Sequence, residues 1–307
     1  MRQNQSAMNK NLFTENLKQS TGMRLFLFLV ILLMSCLIGL AISKIVVLSG
    51  DKEMKISQGI LSIMMFVAPP IVYFCITREE NPMQSLGFRE MKRPWLYILI
   101  GAVLMFVSLP ITNQLTHWNE AMNLGPALSK LEEYLKSLEE TATAATEQLL
   151  KADTIGGLLL NLVIIALIPA VGEELTFRGL LQQSLTRRMK NPHIAILLAS
   201  AIFSFIHFQF FGFLPRMFLG MLLGYIFYIS NSLWTSILMH FINNGSVVVL
   251  YYLSNNGFLD IDAEHFGETD NMWILMASVM VTVGLIAWCW ISHRTQPKPN
   301  SNDLDFY

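Results

Sequence analysis

Charge is what this sequence has least of. Asp, Glu, Lys and Arg make up 14% of its 307 residues, against about 25% in a soluble domain, which argues against a water-soluble globule. The charge does not lean to one sign either: 21 basic and 22 acidic residues leave a net of -1. No basic face of the kind a nucleic acid requires is clustered anywhere, so nucleic acid is not among the expected partners. Cysteine is scarce too, since Cys36, Cys75 and Cys289 are the full set. All three fall inside apolar blocks, where they read as small hydrophobes and not as a disulfide framework.

What fills the chain instead is apolar: 53% of residues are hydrophobic, and they come in blocks of bilayer-spanning length. The blocks lie at about 25–48, 56–76, 95–115, 155–177, 194–210, 214–230, 232–253 and 271–292. The first is too long for a secretory h-region and reads as a retained span. Trp95, Trp118, Trp273 and Trp290 sit near block ends, at the headgroup level that amphipathic rings prefer. The expected fold class is therefore all-α, a polytopic integral membrane protein of about eight transmembrane helices in the cell (inner) membrane, with the lipid bilayer as its medium.

Lys and Arg are retained on the cytoplasmic side, so their distribution orients the chain. With the N-terminus inside, inner segments hold thirteen basic residues and outer ones seven, Arg216 among the latter, while Arg178 lies within a span. The segment 254–270 carries Asp260, Asp262, Glu264, Glu268 and Asp270 and no Lys or Arg. Both termini are thus expected in the cytoplasm. Between spans 3 and 4, Leu128, Leu131, Leu135, Leu138, Ala142, Ala145 and Leu149 recur at alternating steps of three and four, which predicts an amphipathic helix on the outer side. Its stripe either packs on the protein or membrane surface or binds a partner. The expected organisation is a tail at 1–24, spans 1–3 at 25–118, the external helix at 119–153, a core of spans 4–7 at 154–253, an acidic loop with span 8 at 254–292, and a tail at 293–307.

Ionisable residues inside spans are costly unless paired, hydrated or used, and few occur here. Span 4 carries Glu173, Glu174 and Arg178, span 5 Phe203 and His207, span 7 His240, Asn243 and Asn244. Helical periodicity puts Glu174 and Arg178 on one face as an i, i+4 ion pair, and turns Glu173 about 100° away, free for another task. Phe203 shares a face with His207, and His240 with Asn244. Counted from the turn at Lys190-Asn191-Pro192, Glu173 and His207 fall at matching depth. His240 lies shallower by the same count, unless span 4 is tilted or extended.

Such a set has a coherent chemistry. A carboxylic acid in a low-dielectric site holds its proton more tightly, which suits a general base for water near neutral pH. One imidazole could orient that water, and a second with a carboxamide could donate to the oxyanion formed when water adds to a carbonyl. The same Glu and His residues could instead ligate zinc with one position left for water. Taken singly, each group has a plainer reading, because Glu-Arg pairs, His and Asn also serve as hydrogen-bonding glue between membrane helices. It is their joint occurrence on three spans that favours a site.

Glu173-Glu174…Arg178, Phe203…His207 and His240…Asn244 resemble the three-motif signature of the CAAX protease and bacteriocin-processing (Abi) family of intramembrane endopeptidases. The resemblance spans about 155–255. It implies an all-helical core around a cavity open toward the cytoplasm, with Glu173 as the water-activating residue, His207 as its partner, and His240 with Asn244 as oxyanion donors. Glu174, Arg178 and Phe203 would be supporting residues. A glutamate-dependent mechanism needs no cofactor, while zinc stays possible, and the expected partner is a membrane-associated peptide or protein substrate. The short loops look bacterial. A non-enzymatic immunity or signalling scaffold of the same family remains the alternative, with a proton-coupled transporter behind it.

Overall fold

The computed structural model describes residues 20–46, 51–91, 93–263 and 265–294. Most of both expected tails, with Arg2, Lys10, Lys18 and Lys298, and Glu264 of the acidic loop lie outside the described residues. Among the described residues there are helices and turns and no strand. The helices are α1 (Thr21–Val46), α2 (Met54–Thr77), α3 (Pro94–Val107), α4 (Leu109–Glu120), α5 (Ser129–Leu150), α6 (Ile155–Met189), α7 (Pro192–Phe205), α8 (Phe213–Ser230), α9 (Leu233–Asn255) and α10 (Met272–Arg294).

Six of these, α1, α2, α6, α8, α9 and α10, are long and apolar enough to cross a bilayer, and the α3–α4 pair, bent by 44°, makes a seventh if it is one span. The bend falls at Ser108, where Pro110 takes a place in the first turn of α4 and supplies no N–H. The span expected at 194–210 is corrected by α7. That helix has 14 residues, about 21 Å at 1.5 Å per residue, which is short of a hydrocarbon layer about 30 Å thick. Asn191 starts it by accepting from the N–H groups of His193 and Ile194, with Pro192 at the first position. It stops at Phe205 because the chain turns, and Phe208 takes a left-handed φ of 54°. His207 therefore lies just beyond a helix end and not inside a span.

Helix α6 runs the other way from expectation, since it is 35 residues long, about 50 Å at the α-helical rise. Two π-helical stretches, Leu162–Leu167 and Leu175–Gln182, flank the turn that carries Glu173 and Glu174. Pro169 lies between them, and its missing N–H disrupts the regular ladder.

The core is built from α6 to α9. Helices α7 and α8 pack closely because Gly220 and Gly224 present no side chain there: a Cβ at Gly220 would meet Ser200 Cβ at 3.1 Å, and one at Gly224 would meet Ile196 Cγ2 at 2.9 Å. The first half of α6 and α3 pack on α9, α2 packs on the middle of α6, and α4 and α10 close over α8. Helix α10 is only 17% buried over its apolar window, as a peripheral helix facing lipid would be.

At one end of the bundle Gly87, at φ 94°, brings its carbonyl to Leu233 N at 2.8 Å, and a Cβ there would strike the Phe227 ring at 2.8 Å. At the other end Asn161 is buried, donating to Leu150 O at 2.9 Å and accepting from Lys55 Nζ at 2.8 Å. That knot joins α2, α5 and α6. The predicted amphipathic helix is α5, and the middle of its stripe, Leu135, Leu138 and Ala142, is half-buried while Leu128 and Leu131 stay exposed.

Candidate active site

Seven of the ten residues around one cavity of about 270 Å³ are polar or aromatic groups of α6 to α9 and of the turn after α7, and it is lined by Glu173, Phe203, His207, Arg216, His240, Asn243 and Asn244 together with Met105, Leu219 and Leu223. All four expected catalytic residues are among them.

The neighbouring carboxylates of α6 part company as helical periodicity requires. Glu174 is fully buried, and its Oε1 accepts from Arg178 Nη1 at 2.8 Å and pairs with His240 Nδ1 at 2.9 Å. Arg178 then donates through Nη2 to Gly220 O at 3.0 Å, so one buried network ties α6 to both α8 and α9. Glu173 turns the other way, into the cavity, with Oε2 at 3.8 Å from His240 Nε2. The imidazole of His240 thus stands between the two carboxylates. The depth mismatch counted for His240 is overturned, since its ring reaches both carboxylates.

A carbonyl can only accept, so the contact of His207 Nδ1 with Phe203 O at 2.8 Å places a hydrogen on Nδ1. In a neutral ring Nε2 is then a lone-pair acceptor. The next residue, Phe208, has a left-handed φ of 54°, and a bulky residue at positive φ is the kind of backbone strain that gathers at functional sites. Phe203 is the hub of the aromatic packing: its ring lies 5.1 Å from Phe177, 5.1 Å from His207 and 6.3 Å from His240, with the Arg178 guanidinium 4.9 Å from its centre. It packs against both imidazoles and the Arg178 guanidinium while carrying no charge itself.

Asn244 donates to Ile165 O at 3.5 Å and accepts from Asn243 Nδ2 at 3.0 Å. One amide hydrogen of Asn244 is left over by that count. Two cavity residues were missed on the sequence. Asn243 stands among the polar residues of span 7 on the sequence but carries no role there, and only its position next to Asn244 marked it. Arg216 was assigned to an outer loop, whereas it lies in the first turns of α8 and lines the cavity; its rarity as a charge within an apolar block was the available signal.

Zinc would need at least three of these donors drawn together. Among the described residues no three His, Cys, Asp or Glu side chains form a group able to hold a metal ion, so the side chains as placed do not make a ligand set. The cavity lies at the end of α7 away from the Lys190 turn, beside the 206–212 loop on which α5 is docked through Glu139 and Phe211. The Lys190 turn, expected in the cytoplasm, and the cavity are therefore separated by the length of α7.

Comparison with known proteins bears on the same segment. Residues 155–246 match the family model described as type II CAAX prenyl endopeptidase Rce1-like, which is a protease family and agrees with the resemblance carried by the three motifs. The match covers α6, α7, α8 and the first part of α9 and leaves the other helices outside it. No curated protein and no solved structure matches the chain.

Proposed function

We propose that the protein is an intramembrane endopeptidase that hydrolyses a peptide bond of a membrane-associated protein or peptide with water activated by Glu173. The observation that carries this reading is the division of labour between adjacent carboxylates: Glu174 is consumed by Arg178 and His240, while Glu173 faces a cavity holding two imidazoles and two carboxamides.

In this reading Glu173 takes a proton from a water that His207 Nε2 helps to orient, and the resulting hydroxide oxygen adds to the scissile carbonyl carbon. The carbonyl oxygen becomes an oxyanion. His240, steered by Glu174 at Nδ1, offers Nε2–H to it when protonated, and the spare hydrogen of Asn244 adds a second donor. Glu173 then hands its proton to the departing amine nitrogen as the C–N bond breaks, which restores the carboxylate. No step requires a metal. The substrate's membrane association fits a cavity enclosed by apolar helices, and the matched family is one of CAAX prenyl endopeptidases.

The test is cleavage of membrane-anchored peptides by protein reconstituted in liposomes, followed by mass spectrometry. Glu173→Gln is expected to lower the rate by about 10²- to 10⁴-fold, the usual worth of a general base, with unchanged insertion and melting. Full activity of that variant would overturn the reading, and so would loss of activity on chelation that zinc restores. Retention of a cellular phenotype by Glu173→Gln without any cleaved peptide would instead support the scaffold alternative.

A further inference from the structure

The loop that carries His207 is gripped by a residue outside the segment that matches the protease family. Asn119, in the last turn of α4, is only 1% exposed, and its carboxamide is engaged at both ends. Nδ2 donates to Phe210 O at 3.0 Å and to Met122 Sδ at 3.7 Å, while Oδ1 accepts from Leu214 N at 2.7 Å. A carbonyl only accepts and a backbone N–H only donates, so this is the orientation of the carboxamide that satisfies both.

The two backbone groups straddle Gly212, where α8 begins. Leu214 N is one of the first N–H groups of that helix, which find no acceptor within it, and a side chain at the N-cap ordinarily serves one of them. Gly212 has no side chain to offer, and the space is taken by Arg216: a Cβ on Gly212 would come within 2.5 Å of Nη2. Arg216 is held in turn by Gln209 of the same loop, whose Oε1 accepts from Nη2 at 2.7 Å, and its charge partners are Glu139 and Glu173. Seating Arg216 thus deprives α8 of a cap of its own, and Asn119 supplies one from another helix. At the start of the loop His207 follows α7 almost directly, and the loop's base is closed by Ser204 Oγ donating to Phe213 O at 2.7 Å. Asn119 takes hold at Phe210, between His207 and Arg216, so a shift there is carried to both. A buried carboxamide is expensive unless its hydrogen bonds are made, and an apolar side chain would suffice to pack α4 on α8.

We infer that Asn119 is a positioning residue of the active site: it fixes the 206–212 loop and the start of α8, and through them the places of His207 and Arg216. Asn119 does not line the cavity and acts only through the loop. The role rests on the peptidase reading for its meaning.

The sharpest variant is Asn119→Asp. Its neutral acid reproduces both bonds, with O–H donating to Phe210 O and C=O accepting from Leu214 N, whereas its carboxylate sets a second acceptor against the Phe210 carbonyl. In the liposome cleavage assay its kcat, taken as a ratio to the unsubstituted protein at each pH, should be near one in acid and fall about tenfold or more once that acid ionises, as the loss of a buried hydrogen bond implies. Asn119→Ala should be impaired at every pH, and far less so on a His207→Ala background, because the effect passes through a residue already removed. A second readout needs no cleavage. In detergent-solubilised full chain carrying ¹⁵N-histidine, the His207 ring signals, identified by their loss in His207→Ala, should depart from those of the unsubstituted protein as Asn119→Asp ionises, while those of His193, at the far end of α7, stay in place. A flat kcat ratio, an equal effect of Asn119→Ala with and without His207, or His207 signals that do not move would each overturn the assignment, and so would movement of both histidines together, which marks general unfolding. If the unsubstituted protein cleaves nothing, the peptidase reading falls and the His207 signals still decide whether Asn119 holds the loop. Cleavage that depends on Glu173 and ignores Asn119 would sink this inference alone.

Discussion

Glu173 and Glu174 are neighbours in the chain and opposites in the structure. Glu174 is part of a buried network, and removing one partner of a buried ion pair typically costs about 3–5 kcal/mol because the other charge is stranded. Glu174→Gln should therefore lower the melting temperature in detergent by several degrees, while Glu173→Gln, which strands no guanidinium, should leave it nearly unchanged. The two variants would both lose activity, so the thermal scan is what tells a support from a reacting group; equal destabilisation would contradict the division. This pair was legible in the sequence because the 3.6-residue period survives local distortion and puts Glu174 over Arg178. Arg216 was not legible, because a lone basic residue near a span end is normally a topology marker, and only the packing of α8 against the site turned it into a cavity wall.

At the scale of elements, glycines and one surface carboxylate control how helices meet. Gly220→Leu would push on Ser200 and Phe203, both closer than 3.4 Å to a Cβ at that position. Overpacking of this kind usually costs about 1–3 kcal/mol, and it should lower both the melting temperature and the activity, since Phe203 seats both imidazoles. Helix α5 is docked differently, by Glu139 Oε2 accepting from Phe211 N at 3.1 Å and by Lys136 over the Phe211 ring. Burial pushes the Glu139 carboxyl above its ordinary value, more than the hydrogen bond from Phe211 N and the charge of Arg216 pull it down. A carboxyl raised in the docked state binds its proton more tightly there than when free. Its contribution to docking is therefore full below the ordinary carboxylate range and fades as pH rises through the raised value. Hydrogen exchange of α5 should accordingly slow as pH is lowered through that range, after correction for intrinsic exchange, and Glu139→Gln should abolish the dependence. The heptad-like stripe announced α5 but not what it rests on. Likewise the apolar block at 194–210 announced a span, where the early turn at Phe208 made a short helix instead.

Over the whole molecule, the distribution of Lys and Arg predicts a sidedness that can be tested. On a background with Cys36, Cys75 and Cys289 replaced by serine, Asp260→Cys should react with an impermeant maleimide in intact cells and Lys190→Cys only after lysis; the opposite pattern would invert the topology. Sequence alone determined that this is a helical membrane protein and which polar residues stand in its apolar core, because bilayer thickness and the expense of buried charge act on residue type and spacing directly. The length of α6, the truncation of α7 and the close approach at Gly220 and Gly224 were decided by tertiary structure. These fix the relative depth of four helices, and depth is what brings Glu173, His207, His240 and Arg216 to one cavity. No single helix carries that information, because the side chains that line the cavity come from different segments of the chain.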